Sequence, residues 1–414
     1  MSVDQAFEPV VVREHDLTDD VATFAIGCAD GQRVRVLVRV AAIPVGFVEY
    51  TLRQGDPLGQ LVQLVGTELD HELRERLRDL GADTKAPVAP ADPEPITVVV
   101  STRDRPESLE RCLRSMAVLE YPATTVIVVD NAPKTSGTRD VFDAIGPLLT
   151  AAGISMAYVV EPRPGLSRGR NCGMASATTD LIAFTDDDVI VDRHWLTALA
   201  SAFRAHPDAA CVTGMVPTAE LDSAAQYHFD QRVSWSKNCV RRRYTLVTLQ
   251  DVSRSHPFAT GALGTGANFA LRRSLLSEVG EFDVALGAGS PTRGGEDLDM
   301  FLRVMLAGHA VVYEPASIVW HYHRTDPDAL RRQLFAYGLG LGAYVTKHAA
   351  SRQTVGRMLG RVPSGVRRFT SARRTNLADS LPARLVGTET LGMLAGPAYY
   401  LRERLRRETA GRST

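Results

Sequence analysis

From residue 96 onward the chain alternates short β-branched apolar runs with segments whose apolar residues recur at helical spacing, and few folds satisfy that alternation. ITVVVST (96–102), TVIVVD (125–130), MAYVVE (156–161) and LIAFT (181–185) carry almost no polar face. Strands of that kind are covered on both sides, as in parallel sheets. Between them, Pro106 opens a segment with Leu109, Cys112, Leu113 and Met116 on one side, and Val141, Phe142, Ile145 and Leu148 repeat the pattern. The expected fold class is therefore α/β, a mainly parallel sheet flanked by helices. Ligands of such sheets sit beyond the carboxyl ends of the strands. Thr102-Arg103-Asp104, Asp130-Asn131 and Asp186-Asp187-Asp188 fall there.

The organisation reads as four parts. Residues 1–84 form a small N-terminal α+β domain of unreadable role, with strand character at Arg33–Val40 and Gly46–Leu52 and a helix from Leu61 to Leu80 stopped by Gly81. KAPVAPADPEP (85–95) is a linker. Residues 96–326 are the main domain, with halves at 96–217 and 218–326. Residues 327–414 are helical and basic: no Asp or Glu occurs from Ala329 to Ala378, while Arg331, Arg332, Lys347, Arg352 and further arginines do.

A length of 414 residues calls for two or three folded units. The 44% hydrophobic and 23% charged content belongs to a soluble globular chain. A net charge of −1 points to no nucleic-acid partner. The five cysteines are scattered, which argues against a disulfide framework or a zinc site. With no apolar leader and no membrane-length run, the expected location is the cytoplasm. The basic stretch and LVGTETLGMLAGPAYYL (385–401) add two readings of equal weight: peripheral docking on the anionic inner face of a membrane, or internal pairing and a homodimer interface.

Three consecutive aspartates beside a core raise one another's pKa unless a cation neutralises them. Mg²⁺ or Mn²⁺ fits, because such ions take oxygen ligands and bridge phosphate oxygens. An acidic surface turn is the plainer alternative. In GLSRGRNCG (165–173) glycines allow close backbone approach while Arg168 and Arg170 offer forks suited to phosphate. In GGEDLDMFLR (294–303), Glu296 and Asp297 lie in the first turn of a helix, where they either complement its dipole or do proton chemistry. Trp320-His321-Tyr322-His323 follows another strand-like run.

Together, VVVSTRDRPESLERCLRSM, VIVVDN, GLSRGRNCGMASATTDLIAFTDDD, GTGANFALRRSLLSEVGEFD and GGEDLDMFLRVMLAGH resemble a bacterial-type family 2 glycosyltransferase over roughly residues 95–345. The resemblance implies the GT-A fold, Rossmann-like, and an inverting, metal-dependent transfer from a nucleotide-diphosphate sugar. It implies that Thr102, Arg103, Asp130, Asn131, Arg168, Arg170, Asn171, Asp186 and Asp187 bind the donor, and that Asp186 and Asp188 are the DxD aspartates. It places Asp188, Asp186 and His323 on Mg²⁺ or Mn²⁺, with His321 the other candidate histidine. Asp297 is the expected general base beside Glu296, Asp299 the lesser substitute, and Arg324 reaches the leaving phosphate. The acceptor is a sugar or lipid-linked glycan of the cell envelope, or alternatively a soluble small molecule. Two other classes stay open: a nucleotidyltransferase, whose glycine- and lysine-rich loop is missing after the first strand, and a non-catalytic sugar-binding protein.

Overall fold

A computed structural model describes residues 7–19, 28–53, 57–80, 88–233, 235–249, 258–356 and 383–411. Near the N-terminus, β1 (Val10–Asp16) pairs in parallel with β2 (Arg33–Val40), which pairs antiparallel with β3 (Ile43–Thr51). Alternation along β2 explains its two roles. Val34, Val36, Val38 and Val40 face a core with Leu61 and Val65 of α1 (Pro57–Glu68). Arg35, Leu37 and Arg39 face the larger unit. Arg35 donates to Asp230 at 2.5 Å and Arg39 to Asp192 at 2.6 Å, all four residues buried. The helix expected over 61–80 is two: α1, a bend at Leu69, and α2 (Asp70–Leu80). Gly81 and the first three residues of the expected 85–95 linker lie outside the described residues, and the rest of it, 88–95, runs without helix or strand up to β4.

The larger unit carries β4 (Ile96–Thr102), α3 (Pro106–Met116), β5 (Thr124–Asn131), α4 (Gly137–Ala151), β6 (Ser155–Glu161), α5 (Leu166–Ser176), β7 (Leu181–Asp186), β8 (Val189–Val191), α6 (Trp195–Ala205), β9 (Ala209–Met215), α7 (Ala224–Arg232), β10 (Arg242–Tyr244), β11 (Asn268–Arg272), α8 (Glu296–Leu306) and β12 (Ala310–His321). Its strand order is β10-β12-β9-β11-β7-β4-β5-β6. The pairs β7–β4, β4–β5, β5–β6 and β12–β9 are parallel, while β11 runs antiparallel between β7 and β9. The four apolar runs are β4, β5, β6 and β7, and the mainly parallel α/β sheet expected from them is what forms.

Each face of the sheet has its own core. Val98, Val100, Val126 and Val128 join Leu109, Leu113 and Trp195 on one side. Val99, Ile127, Val129 and Phe184 join Met174, Met300 and Phe301 on the other. Burying each such side chain contributes about 1.5–3 kcal/mol, so the sheet is the rigid base on which the loops stand. Asn268 of the inserted β11 is fully buried: its amide donates to Met215 O and Ser317 O, and it accepts from Trp195 Nε1.

The C-terminal region brings α9 (Pro327–Ala349) against α10 (Ala383–Gly411). Gly338 and Gly342 on α9 meet the backbone of Glu389 and Met393, while Gly392 and Gly396 on α10 meet that of Phe335 and Leu339. Contacts advance in the same direction on both helices, so the two run parallel in near backbone contact. Where the stretch read as basic is described, part of it is paired within the chain. Lys347 points inward to Asp283 (3.0 Å) and Asp299 (2.8 Å). Arg331 and Arg332 pair with Asp328 and Asp326. The arginines from Arg357 to Arg374 lie outside the described residues.

Candidate active site

β7 delivers Asp186 to the carboxyl edge of the sheet, a turn carries Asp187 and Asp188, and β8 returns the chain. β8 pairs antiparallel with the end of β12, setting His321 opposite Val189 and hence beside Asp188. Ligand atoms of Asp186, Asp188 and His321 all lie within 4.8 Å of one another. His321 Nε2 stands 3.1 Å from Asp188 Oδ1. The sequence put His323 in this role. Its Nδ1 instead lies 3.0 Å from Nδ1 of His321, its ring packs edge-on to Phe229, and its buried Nε2 has no partner among the described residues. Burial and the neighbouring His321 push His323 well below the ordinary histidine range.

The middle aspartate is spent on the protein. Asp187 accepts from Thr102 Oγ1 at 2.6 Å and from Arg105 Nη1 at 2.5 Å, and Arg105 Nη2 reaches Asp188 at 2.7 Å. Burial pushes Asp187 up to about 6 despite Arg105. Burial also works against Asp188, but His321 and Arg105 outweigh it and hold that carboxyl well below the carboxylate range. Thr102, itself buried, thereby anchors the aspartate turn and presents no free hydroxyl outward. Arg105 was not among the sequence candidates. The only signal for it was a further basic residue just after the first strand's TRD.

The second carboxylate pair opens α8. Gly295 enters it at φ 88°, a left-handed conformation that suits glycine. Glu296 is buried and accepts from Arg170 Nη1 at 3.0 Å; burial and Asp297 push it up to about 7. Asp297 is half-buried, accepting from Gly266 N and Leu298 N, each at 2.8 Å. Arg170 Nη2 donates to Gly266 O at 2.8 Å and faces Asp186 Oδ1 at 3.4 Å. One guanidinium thus bridges the aspartate cluster and the Glu296–Asp297 pair. Gly266 completes the tie through its backbone, a role no side-chain motif could announce. Asp299 lies on the other side of α8, fully buried against Lys347, His348 and Arg303. It touches neither centre.

Of the other donor candidates, Asp130 ends β5 and accepts from Tyr158 OH at 2.5 Å through one oxygen, while its other oxygen is buried without a donor among the described residues. Asn131 accepts from Gly165 N and donates to Arg163 O, both at 2.9 Å, shaping the loop into α5. Asn171, read as facing ribose or diphosphate, is committed elsewhere: its amide donates to Phe282 O and accepts from Phe282 N. Arg170, read the same way, is only 2% exposed and is the internal bridge described above. The Arg103 side chain is 40% exposed, with Asp104 4.0 Å away, and Arg324 is exposed. Arg168 lies at the start of α5 beside a separate cleft.

The family model for glycosyltransferase like family 2 matches residues 93–340, and the chain belongs to that family. It is 28% identical over 77% of its length to the pre-mycofactocin glycosyltransferase of Mycobacterium tuberculosis, spanning 62% of that relative. It is 30% identical over 66% of its length to the succinoglycan biosynthesis protein ExoM of Rhizobium meliloti, spanning 77% of it. A solved structure, mannosyltransferase PcManGT from Pyrobaculum calidifontis in complex with GDP-Man and Mn²⁺, is similar at TM-score 0.46 and 18% identity, covering 83% of this chain and 96% of that one.

Proposed function

We propose that this chain is a metal-dependent, inverting glycosyltransferase that moves a sugar from a nucleotide-diphosphate donor to an acceptor hydroxyl. The observation carrying this reading is the Asp186, Asp188 and His321 cluster held across Arg170 from the Glu296–Asp297 pair. Two carboxylates suit Mn²⁺ or Mg²⁺, and the added imidazole favours Mn²⁺ of the two; their ligand atoms lie within 4.8 Å of one another, close enough to share one ion. Such an ion would neutralise charge on the departing diphosphate.

The protein's own groups supply the rest. Asp130 offers its unpartnered oxygen to a donor N–H of the nucleotide base. Asp297, the less buried of the carboxylate pair, takes the acceptor's hydroxyl proton as that oxygen bonds to the anomeric carbon. The bond from that carbon to the phosphate oxygen breaks on the opposite face, and the configuration inverts. Glu296, held by Arg170, fixes the helix start that presents Asp297.

The acceptor we favour is a cell-envelope glycan or glycolipid reached from the cytoplasm. No helix among the described residues is long and apolar enough to cross a membrane. α10, however, exposes Leu391, Leu394, Leu401 and Leu405 among its arginines, a pattern suited to peripheral contact. A soluble small-molecule acceptor is the second reading.

Thermal shift tests the donor site. A nucleoside diphosphate at a hundredfold its Kd with Mn²⁺ stabilises the wild type by about 2.7 kcal/mol. Chelator, or Asp188→Asn, removes that gain. Equal stabilisation with and without the ion would refute the metal assignment.

A further inference from the structure

A cleft of about 850 Å³ opens between the start of α5, the loop before α8, and α10. Arg163, Arg168, Arg293, Arg406 and Arg407 line it, with Glu403 as the single carboxylate. Arg163 is held by Glu161 at 2.9 Å and Arg407 by Glu403 at 2.7 Å. Arg168, Arg293 and Arg406 have no ion pair among the described residues. Burial, Arg407 and Arg163 push the Arg168 guanidinium below its ordinary range, and the nearby Glu161 and Glu403 only partly offset them. Folding alone gives no reason to gather five guanidinium groups on one wall, since their mutual repulsion opposes it.

The backbone is constrained at the same place. Arg293, a non-glycine residue, sits at φ 60°, and Gly165 and Gly289 also have positive φ. A Cβ on Gly289 would stand 3.2 Å from Gly165 Cα, so the loop lies directly on the entry to α5. Strain of about 1–3 kcal/mol at such a residue persists where the surroundings impose it, commonly at ligand sites. The remaining wall is apolar, with Pro164, Pro291, Ala336 and Tyr399.

We infer that this cleft binds the phosphate or diphosphate group of the acceptor. Guanidinium forks match phosphate oxygens, and the apolar wall takes what the phosphate is attached to. Arg293 precedes Asp297 by four residues, which span at most about 14 Å. An acceptor anchored by its phosphate at Arg293 would thus be held on the same loop that leads into the helix carrying the carboxylate proposed as base. The inference rests on the glycosyltransferase reading for the word acceptor, but not for the anion site itself.

Binding measured in chelator separates the two. Without a divalent ion the donor site loses its hold on diphosphate, so geranyl diphosphate reports on the arginine cleft. Wild-type protein should bind it more tightly than geraniol, and less tightly as salt rises. Arg293→Gln combined with Arg406→Gln should weaken it roughly tenfold or more, the worth of a lost charge-assisted contact, and Arg406→Gln alone should act in the same direction. Affinity for a nucleoside diphosphate with Mn²⁺ should stay within about twofold in these variants. Glucose 6-phosphate serves as the soluble arm: if it binds as well as geranyl diphosphate, the phosphate site stands with a soluble acceptor, and if it binds far more weakly, a lipid-linked one. Geraniol binding as tightly as its diphosphate, or variants binding like wild type, would overturn the inference. Failure of nucleoside diphosphate binding in the wild type would instead sink the transferase reading and leave the anion site to stand on its own result.

Discussion

Asp299 distinguishes a carboxylate that builds the site from one that works in it. It lies two residues after the proposed base, yet one oxygen accepts from Lys347 Nζ (2.8 Å) and His348 Nε2 (3.1 Å) while the other accepts from Arg303 Nη2 (2.8 Å) and Nε (2.9 Å). Asp299→Asn keeps the shape but turns an NH₂ group toward donors on one side or the other. The cations lose their neutralising charge, apart from Lys347, which keeps Asp283. Removing one partner of a buried ion pair costs about 3–5 kcal/mol. At about 2–4 °C per kcal/mol for a unit of this size, the melting temperature should fall by roughly 6–20 °C. At low temperature, where the variant is still folded, donor binding and turnover should stay close to wild type.

The pH dependence gives a second readout. Burial opposes ionisation of Asp299, but His348, Arg303 and Lys347 outweigh it and hold its carboxyl well below the usual value. A carboxylate depressed in the folded state contributes stability that is complete above the unfolded pKa, about 3.9, and is lost as pH falls through the folded value. The gap between wild type and Asp299→Asn should therefore be flat from about pH 5 to 8 and close only below about pH 4. Differential melting across pH checks both points. A variant that melts like wild type but has lost turnover would refute this reasoning and return Asp299 to the list of catalytic candidates.

Asp297→Asn should lower turnover by roughly 10²–10⁴-fold while Mn²⁺-dependent nucleotide binding, read by thermal shift, changes little. Loss of both together would show a folding role instead. Gly342→Leu cannot be accommodated against the Met393 backbone and should release α10 from α9, seen as faster proteolysis within 383–411. Gly387→Leu, whose Cβ meets nothing within 4 Å, is the matched control and should digest like wild type.

What could be read in the sequence follows from how local each signal is. β4, β5 and β7 announced themselves because strands buried on both faces are apolar along their whole length. β11, NFALR, is as deeply buried, but it is short, opens with Asn268 and enters the sheet antiparallel, and no local pattern says between which strands a segment inserts. The aspartate triplet was legible as a cluster, but the division of labour within it was not. Asp187 is turned inward by Thr102 and Arg105, residues more than eighty positions earlier. That His321 rather than His323 lies beside Asp186 and Asp188 likewise depends on β8 pairing with β12, a register the sequence does not print. Glycine-rich contact between α9 and α10 was hidden because nothing local says that Gly338, Gly342, Gly392 and Gly396 meet until the two helices are set side by side.

Arg170 shows why the two halves of the site form one device. A guanidinium 2% exposed would be costly to bury alone, and each of its partners supplies part of the compensation: Glu296 at 3.0 Å, Gly266 O at 2.8 Å and Asp186 at 3.4 Å. Each of those carboxylates stands among like charges, with Asp188 beside Asp186 and Asp297 beside Glu296. Without the arginine, both would rise further in pKa and take up protons. With it, Asp186 is held toward its charged form beside Asp188 and His321, and Glu296 is fixed at the first turn that aims Asp297. Gly266 adds a backbone link, since its carbonyl takes Arg170 and its N–H holds Asp297. A side chain read from the sequence as a ligand for phosphate is thus held inside the protein, setting the spacing between the Asp186–Asp188 cluster and the Glu296–Asp297 pair.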